Sequence, residues 1–155
     1  MIKSFLINIL MILALPIIGQ DLVKNQGNIN KTGLAIEGYD PVTYFTTGKP
    51  IEGKKIISTT NSGVTYYFSS TENMNIFKVE PDKYKPQYGG WCAYAMGASG
   101  EKVEIDPETF KIIDGKLYLF YNKYFNNTLK SWNKDETNLK KKADLNWMKL
   151  TRKSL

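Results

Sequence analysis

Cys92 is the only cysteine in 155 residues, and the chain contains no histidine. It stands in Pro86-Gln87-Tyr88-Gly89-Gly90-Trp91-Cys92-Ala93-Tyr94-Ala95. Without imidazole there is no Ser-His-Asp triad, no Cys-His dyad and no histidine-based metal centre. One thiol, a set of carboxylates and 10 tyrosines remain to do chemistry. If the glycine pair opens a helix, Cys92 lies at its start, where unsatisfied N–H groups and the helix dipole favour a thiolate. Gly89 and Gly90 would also let a substrate or partner come close to the backbone. A redox cycle would need a thiol from a partner, because the chain supplies no resolving cysteine. The plain alternative is a small buried hydrophobe between Trp91 and Tyr94.

Two further groupings could carry chemistry. Cys92 and Met96 are four residues apart, which on a helix puts them on one face, and a thiolate with a thioether suits copper(I). Two donors are few for such an ion, and methionine at this spacing also serves as core. Tyr39, Asp40 and Tyr88 would set a carboxylate beside phenols, an arrangement that orients a polar ligand or a hard cation. The alternative is structural: Asp40 closing a turn and the tyrosines packing. Asp106-Pro107-Glu108 reads as a turn ahead of the strand at Phe110.

The elements that must position these residues are α+β. Ile56 to Thr60 and Val64 to Phe68, joined by Asn61-Ser62-Gly63, read as a β-hairpin rich in β-branched and aromatic residues. Ser70 is an N-cap for a short helix over Thr71 to Val79, which Pro81 ends, and Asp82 to Gln87 is a connector. A short helix over Trp91 to Met96 is closed by Gly97 and Gly100. Asp114-Gly115, between Phe110–Ile113 and Lys116–Tyr121, signals a second hairpin. A C-terminal helical pair follows. One helix covers roughly Lys123 to Trp132; the other starts after Asn133-Lys134-Asp135-Glu136, with Leu139, Ala143, Trp147 and Leu150 as its burying stripe.

Residues 1–20 read as a signal peptide. Lys3 supplies a positive start, and the apolar run from Phe5 to Ile18 is shorter than the roughly 20 residues of a spanning helix. The expected destination is the periplasm or the exterior. Residues 21–33 read as a flexible leader, 34–150 as the folded domain and 151–155 as a tail. The net charge of +6 is uneven. Residues 21–121 hold 11 basic and 12 acidic side chains, whereas residues 122–155 hold 9 and 3. The basic C-terminal helix could touch an anionic membrane, although such faces usually meet water. An exported chain excludes nucleic acid as partner.

Gly38-Tyr39-Asp40-Pro41-Val42, Tyr66-Tyr67-Phe68-Ser69-Ser70, Asn73, Phe77, Pro81-Asp82-Lys83-Tyr84 and Tyr88-Gly89-Gly90-Trp91-Cys92-Ala93-Tyr94 together resemble the YHS domain proteins. More narrowly, they resemble the small exported bacterial YHS domain-containing (seleno)proteins. The resemblance covers about Gly33 to Leu150. In metal-handling relatives it implies thiol ligands in Asp-Pro-Val-Cys, in Tyr-Phe-Cys-Ser and at a further cysteine. Here Thr43, Ser69 and Asn73 stand at those positions, and hydroxyls and amides are poor ligands for soft metals. The expected function is a non-enzymatic binding domain. Its site for a small ligand, a metal or a protein partner would lie around Tyr39, Asp40, Tyr88, Gly89, Gly90 and Cys92. The alternative is a thiol-dependent redox protein with Cys92 as nucleophile.

Overall fold

The computed structural model describes residues 26–152. The expected signal peptide, the leader up to residue 25 and the last three residues of the tail lie outside the described residues. In chain order the elements are α1 (Thr43–Thr46), β1 (Lys54–Asn61), β2 (Val64–Phe68), α2 (Thr71–Val79), α3 (Pro81–Tyr84) and α4 (Ala93–Ala98). Then come β3 (Asp106–Ile113), β4 (Lys116–Phe120), β5 (Asn122–Lys123), β6 (Asn126–Asn127), α5 (Thr128–Trp132) and α6 (Glu136–Arg152). The class is α+β. Among the described residues the strands form three separate antiparallel hairpins, β1–β2, β3–β4 and β5–β6, and the third is one more than the sequence implies.

The first two hairpins form where turn chemistry and side-chain pattern agree. Ser62 and Gly63 both adopt positive φ, as do Asp114 and Gly115, matching the right-handed twist of the paired strands. Alternation along β2 buries Val64, Tyr66 and Phe68. Phe77 of α2 packs its ring 4.7 Å from Tyr66 and 5.3 Å from Phe68. Ser70 caps α2 by accepting from the Asn73 N–H at 3.1 Å.

Strand β4 divides the core. Leu117 and Leu119 enter one apolar cluster with Val42, Tyr44, Phe68, Phe77 and Cys92. Tyr118 and Phe120, on the opposite face, enter a second with Tyr88, Met96, Trp132, Leu139 and Ala143. A strand of period two can feed both because each side is covered. The stripe expected on α6 packs into the second cluster.

Four local readings change. The expected connector begins with the helical turn α3, which Pro81 starts because its missing N–H is an orphan there anyway. The helix expected over Trp91 to Met96 is displaced to Ala93–Ala98, so Gly97 lies inside it rather than ending it. A Cβ at Gly97 would sit 2.5 Å from the Leu139 carbonyl oxygen, so this glycine lets α4 cross α6 at backbone distance. The turn at Asp106-Pro107-Glu108 lies within β3, at a register shift between Asp106 and Phe110, with Asp106 accepting from the Glu108 N–H and the Thr109 hydroxyl. The helix expected from Lys123 starts only at Thr128. Asn127 caps it through Leu129 N–H, and the preceding residues turn back as β5–β6.

Candidate functional site

The Asp-Pro turn buries a carboxylate. Asp40 has no exposed surface, and its Oδ1 accepts from the Val42 N–H at 2.9 Å. Its Oδ2 accepts from the Ser69 N–H at 2.8 Å, the Ser69 hydroxyl at 2.7 Å and the Asn73 side-chain amide at 2.7 Å. Asn73 also lies 3.2 Å from Ser69 Oγ, and Thr43 donates its hydroxyl to the Asp40 carbonyl at 2.9 Å. The end of β2, the first turn of α2 and the start of α1 are thus tied to one side chain. Hydrogen bonds to an ionised group contribute about 1.5–3 kcal/mol each, so this network balances the cost of enclosing the carboxylate. Tyr39 points away from it: its hydroxyl reaches Glu108 at 3.3 Å. Desolvation first, then Glu108, raises that phenol above its ordinary pKa.

Cys92 is equally enclosed, with 0% of its surface exposed. It precedes α4 in a non-helical conformation, donates its N–H to Val103 and accepts from Met96 N–H. Its sulfur receives the Tyr121 N–H at 3.4 Å and lies 3.4 Å from Thr128 Oγ1. Thr128 has one hydroxyl hydrogen, which it donates to the Tyr121 carbonyl at 2.9 Å. The sulfur–oxygen contact is therefore made by the thiol hydrogen. Cys92 and Met96 do not share a face: Cys92 packs in the first cluster and Met96, also fully buried, in the second. The four-residue spacing misleads because Cys92 lies outside the helix.

Tyr88, Gly89 and Gly90 form a left-handed run with φ of 54°, 60° and 87°. Tyr88 is buried, and its hydroxyl donates to Asp144 at 2.9 Å. Desolvation first, and that bond second, push its pKa far up. The close approach that the glycines permit is made by the chain's own residues 26–28. Asn28 donates its N–H to Gly89 at 2.8 Å and its side-chain amide to Gly90 at 3.2 Å. The Trp91 indole donates to the Gln26 carbonyl at 2.6 Å, and Lys102 reaches the Gln26 side chain at 2.6 Å. A Cβ on Gly89 would meet Trp147 at 3.0 Å and Gly27 at 3.1 Å. Over residues 26–33 the expected flexible leader is thus a bonded strap, which also pairs Ile29 with Ala35.

A second left-handed run, Ile36, Glu37 and Gly38 at φ of 53°, 50° and 90°, stands across the strap. A β-branched residue in this region costs about 1–3 kcal/mol and is uncommon outside functional loops. Ile36 lines a cleft of about 330 Å³ with Asn28, Ile29, Asn30, Leu34, Glu37, Glu104 and Ile105. Asn28, Ile29 and Ile36 also line a smaller recess of about 60 Å³ that reaches Lys85, Pro86, Gly89 and Gly90. None of the residues singled out from the sequence lines the larger cleft, and the two glycines border only the smaller recess. Asp40 and Cys92 are internal, Tyr39 lies beside Glu108, and Tyr88 belongs to the second cluster. Ile36 and the strap carry no sequence signal, since neither residue type nor spacing announces a left-handed isoleucine.

Comparison with curated proteins gave no match, and neither did comparison with solved structures. The family model of the YHS domain matches residues 42–88. That span runs from Val42, whose N–H binds Asp40, through both strands of the first hairpin and α2 to Tyr88. Thr43, Ser69 and Asn73, which stand where metal-handling relatives carry thiols, all gather at Asp40. They do not fit a thiolate-bound metal: they offer no thiol, and their donors are spent on the aspartate. Among the described residues no group of three or more Cys, Asp or Glu side chains is arranged to hold a metal ion. The motifs, the hairpin–helix unit they build and the family match agree that this is a YHS domain-containing protein.

Proposed function

We propose that this protein is an exported, non-enzymatic binding domain whose ligand enters the cleft between the strap and the left-handed run at Ile36 and Glu37. The observation that carries this reading is the contrast between the one thiol and the cleft: Cys92 is enclosed and bonded on both sides, while Glu37 and Glu104 line a cleft of about 330 Å³ floored by Ile36. The cleft walls combine apolar Ile29, Leu34, Ile36 and Ile105 with the carboxylates of Glu37 and Glu104. Apolar walls with a few polar groups are the usual make-up of small-ligand sites. This lining favours a small amphipathic ligand with a cationic end. Export is supported by the short basic start and apolar run at the N-terminus. The mass of the protein recovered from fractionated cells tests it, since an uncleaved chain in the cytosolic fraction would overturn it.

An amide-resolved NMR titration with a fragment set of small aliphatic and aromatic amines tests the cleft. Shifts confined to Asn30, Leu34, Ile36, Glu37, Glu104 and Ile105 are expected, and a response located elsewhere would overturn the assignment. The thiol-redox alternative is tested separately with Ellman's reagent. The native protein is expected to be inert and the unfolded chain to titrate one thiol. Rapid reaction in the native state would favour Cys92 as a nucleophile.

A further inference from the structure

The β5–β6 hairpin inverts the usual arrangement of apolar groups. Tyr124 and Phe125 are its two central residues, at φ of 53° and 63°. Two-residue turns of this kind select Asn and Gly because positive φ is cheap for them. This chain instead places two large aromatics there, and their exposures are 90% and 110% of the fully accessible value. The tip is held firmly from below. Asn122 pairs with Asn127 and donates to Thr109 at 3.0 Å, and the Thr128 N–H donates to the Tyr121 carbonyl at 3.0 Å.

The sequence flanking the tip carries positive charge up to Asp135. From Asn122 to Lys134 the chain contains Lys123, Lys130 and Lys134, all exposed, and no carboxylate. Asp106 and Glu108 on the adjoining strand are bonded to neutral donors, the Glu108 N–H and the hydroxyls of Thr109 and Tyr39, so the three lysines face these two carboxylates with an excess of one. A convex point of two rings cannot supply the extended flat patch, on the order of 1,000 Å², that a stable protein interface buries. A lipid headgroup region accepts such a point, because aromatic rings partition into it while nearby lysines meet anionic headgroups.

We infer that Tyr124 and Phe125 form a membrane-dipping tip, seated by Lys123, Lys130 and Lys134 on an anionic bilayer surface. The contact is peripheral and does not depend on the ligand cleft.

Co-sedimentation of the full chain with phosphatidylcholine vesicles, and with vesicles containing about 30% phosphatidylglycerol, tests this. The expected result is retention on the anionic vesicles with at least a roughly tenfold weaker association with neutral ones. The double variant Tyr124→Asn/Phe125→Gly suits the turn better than the native pair and should fold, and it is expected to lose about tenfold or more of the association. Lys123→Gln/Lys130→Gln is expected to lose the preference for anionic lipid. Failure of the native protein to sediment with anionic vesicles overturns the inference, as does equal sedimentation of the tip variant. Tip-dependent retention on a protein bait without vesicle binding also overturns it, and assigns the tip to protein docking.

Discussion

Asp40 and the Tyr124–Phe125 tip are opposites. At Asp40 a charged group has no contact with water, and four donors from the chain are aimed at it. At the tip two apolar rings lie almost wholly in water, on a backbone conformation that disfavours them. Both arrangements cost free energy, but only the first recovers it within the fold. The difference teaches where to look for function. A strained or unfavourable group that the structure compensates internally is architecture; one left uncompensated at the surface calls for something outside. By this measure the region around the family motif holds the fold together, and the interaction surfaces lie at its borders, in the cleft and at the tip.

The sharpest way to break this comparison is to remove the carboxylate. Asp40→Ala leaves the buried Val42 amide, and the part-buried Ser69 amide and Asn73 side chain, without their acceptor. The expected loss is about 3–5 kcal/mol, read from urea unfolding followed by circular dichroism. Asp40→Asn keeps the shape but removes the charge and turns one acceptor into a donor that faces other donors. Its expected cost is about 1–3 kcal/mol. A loss below about 0.5 kcal/mol for the alanine variant would show that the network is incidental.

The buried phenols give the next largest effect. Desolvation raises the pKa of Tyr44, Tyr66 and Tyr88 far above the ordinary value, with Asp144 adding to the rise at Tyr88. In the folded chain these groups stay protonated, whereas in the unfolded chain they ionise near pH 10. Their contribution is fully present below about pH 10 and is lost as pH rises beyond it, at about 1 kcal/mol per tyrosine by pH 11. Absorbance of tyrosinate should therefore rise in two stages: gradually near pH 10 for exposed rings, then in a step that coincides with loss of circular dichroism. A single smooth titration with the fold intact would contradict the enclosure of these rings.

Much of the fold was legible because local and long-range signals agreed. The Ser62–Gly63 and Asp114–Gly115 turns, the Ser70 cap and the α6 stripe each combine a turn or cap residue with the matching apolar period. The third hairpin was missed for the opposite reason: Tyr124 and Phe125 oppose turn chemistry, and their lysine- and asparagine-rich flanks resemble a helix as much as a turn. The site was less legible. Cys92 is chemically unique in the chain, but uniqueness does not report burial, and its enclosure depends on Tyr121 and Thr128, far away in the chain. The sequence sets Asp40 beside Tyr39, whereas its partners are Ser69 and Asn73, about thirty positions on, which sequence alone shows only as replacements for cysteine. The strap over Gly89 and Gly90 was hidden because Gln26 to Asn30 is polar and aperiodic, and its bonds run from backbone and amide groups that any such segment carries.

The smallest expected effect is also the most telling, because it has the unusual sign. Replacing exposed aromatics by small polar residues is ordinarily neutral, and replacing residues in a turn ordinarily destabilises. Tyr124→Asn/Phe125→Gly should do neither. Both new residues tolerate positive φ, so the folded state loses strain, while Gly at position 125 gives the unfolded chain some added freedom. The net expectation is a gain of about 0.5–1 kcal/mol, seen as a higher denaturation midpoint at unchanged denaturant dependence. A more stable variant would mean that the native pair is kept at the expense of the fold, as a surface for interaction would be. A variant destabilised by more than about 1 kcal/mol would instead make the rings part of the packing, and the contrast with Asp40 would disappear.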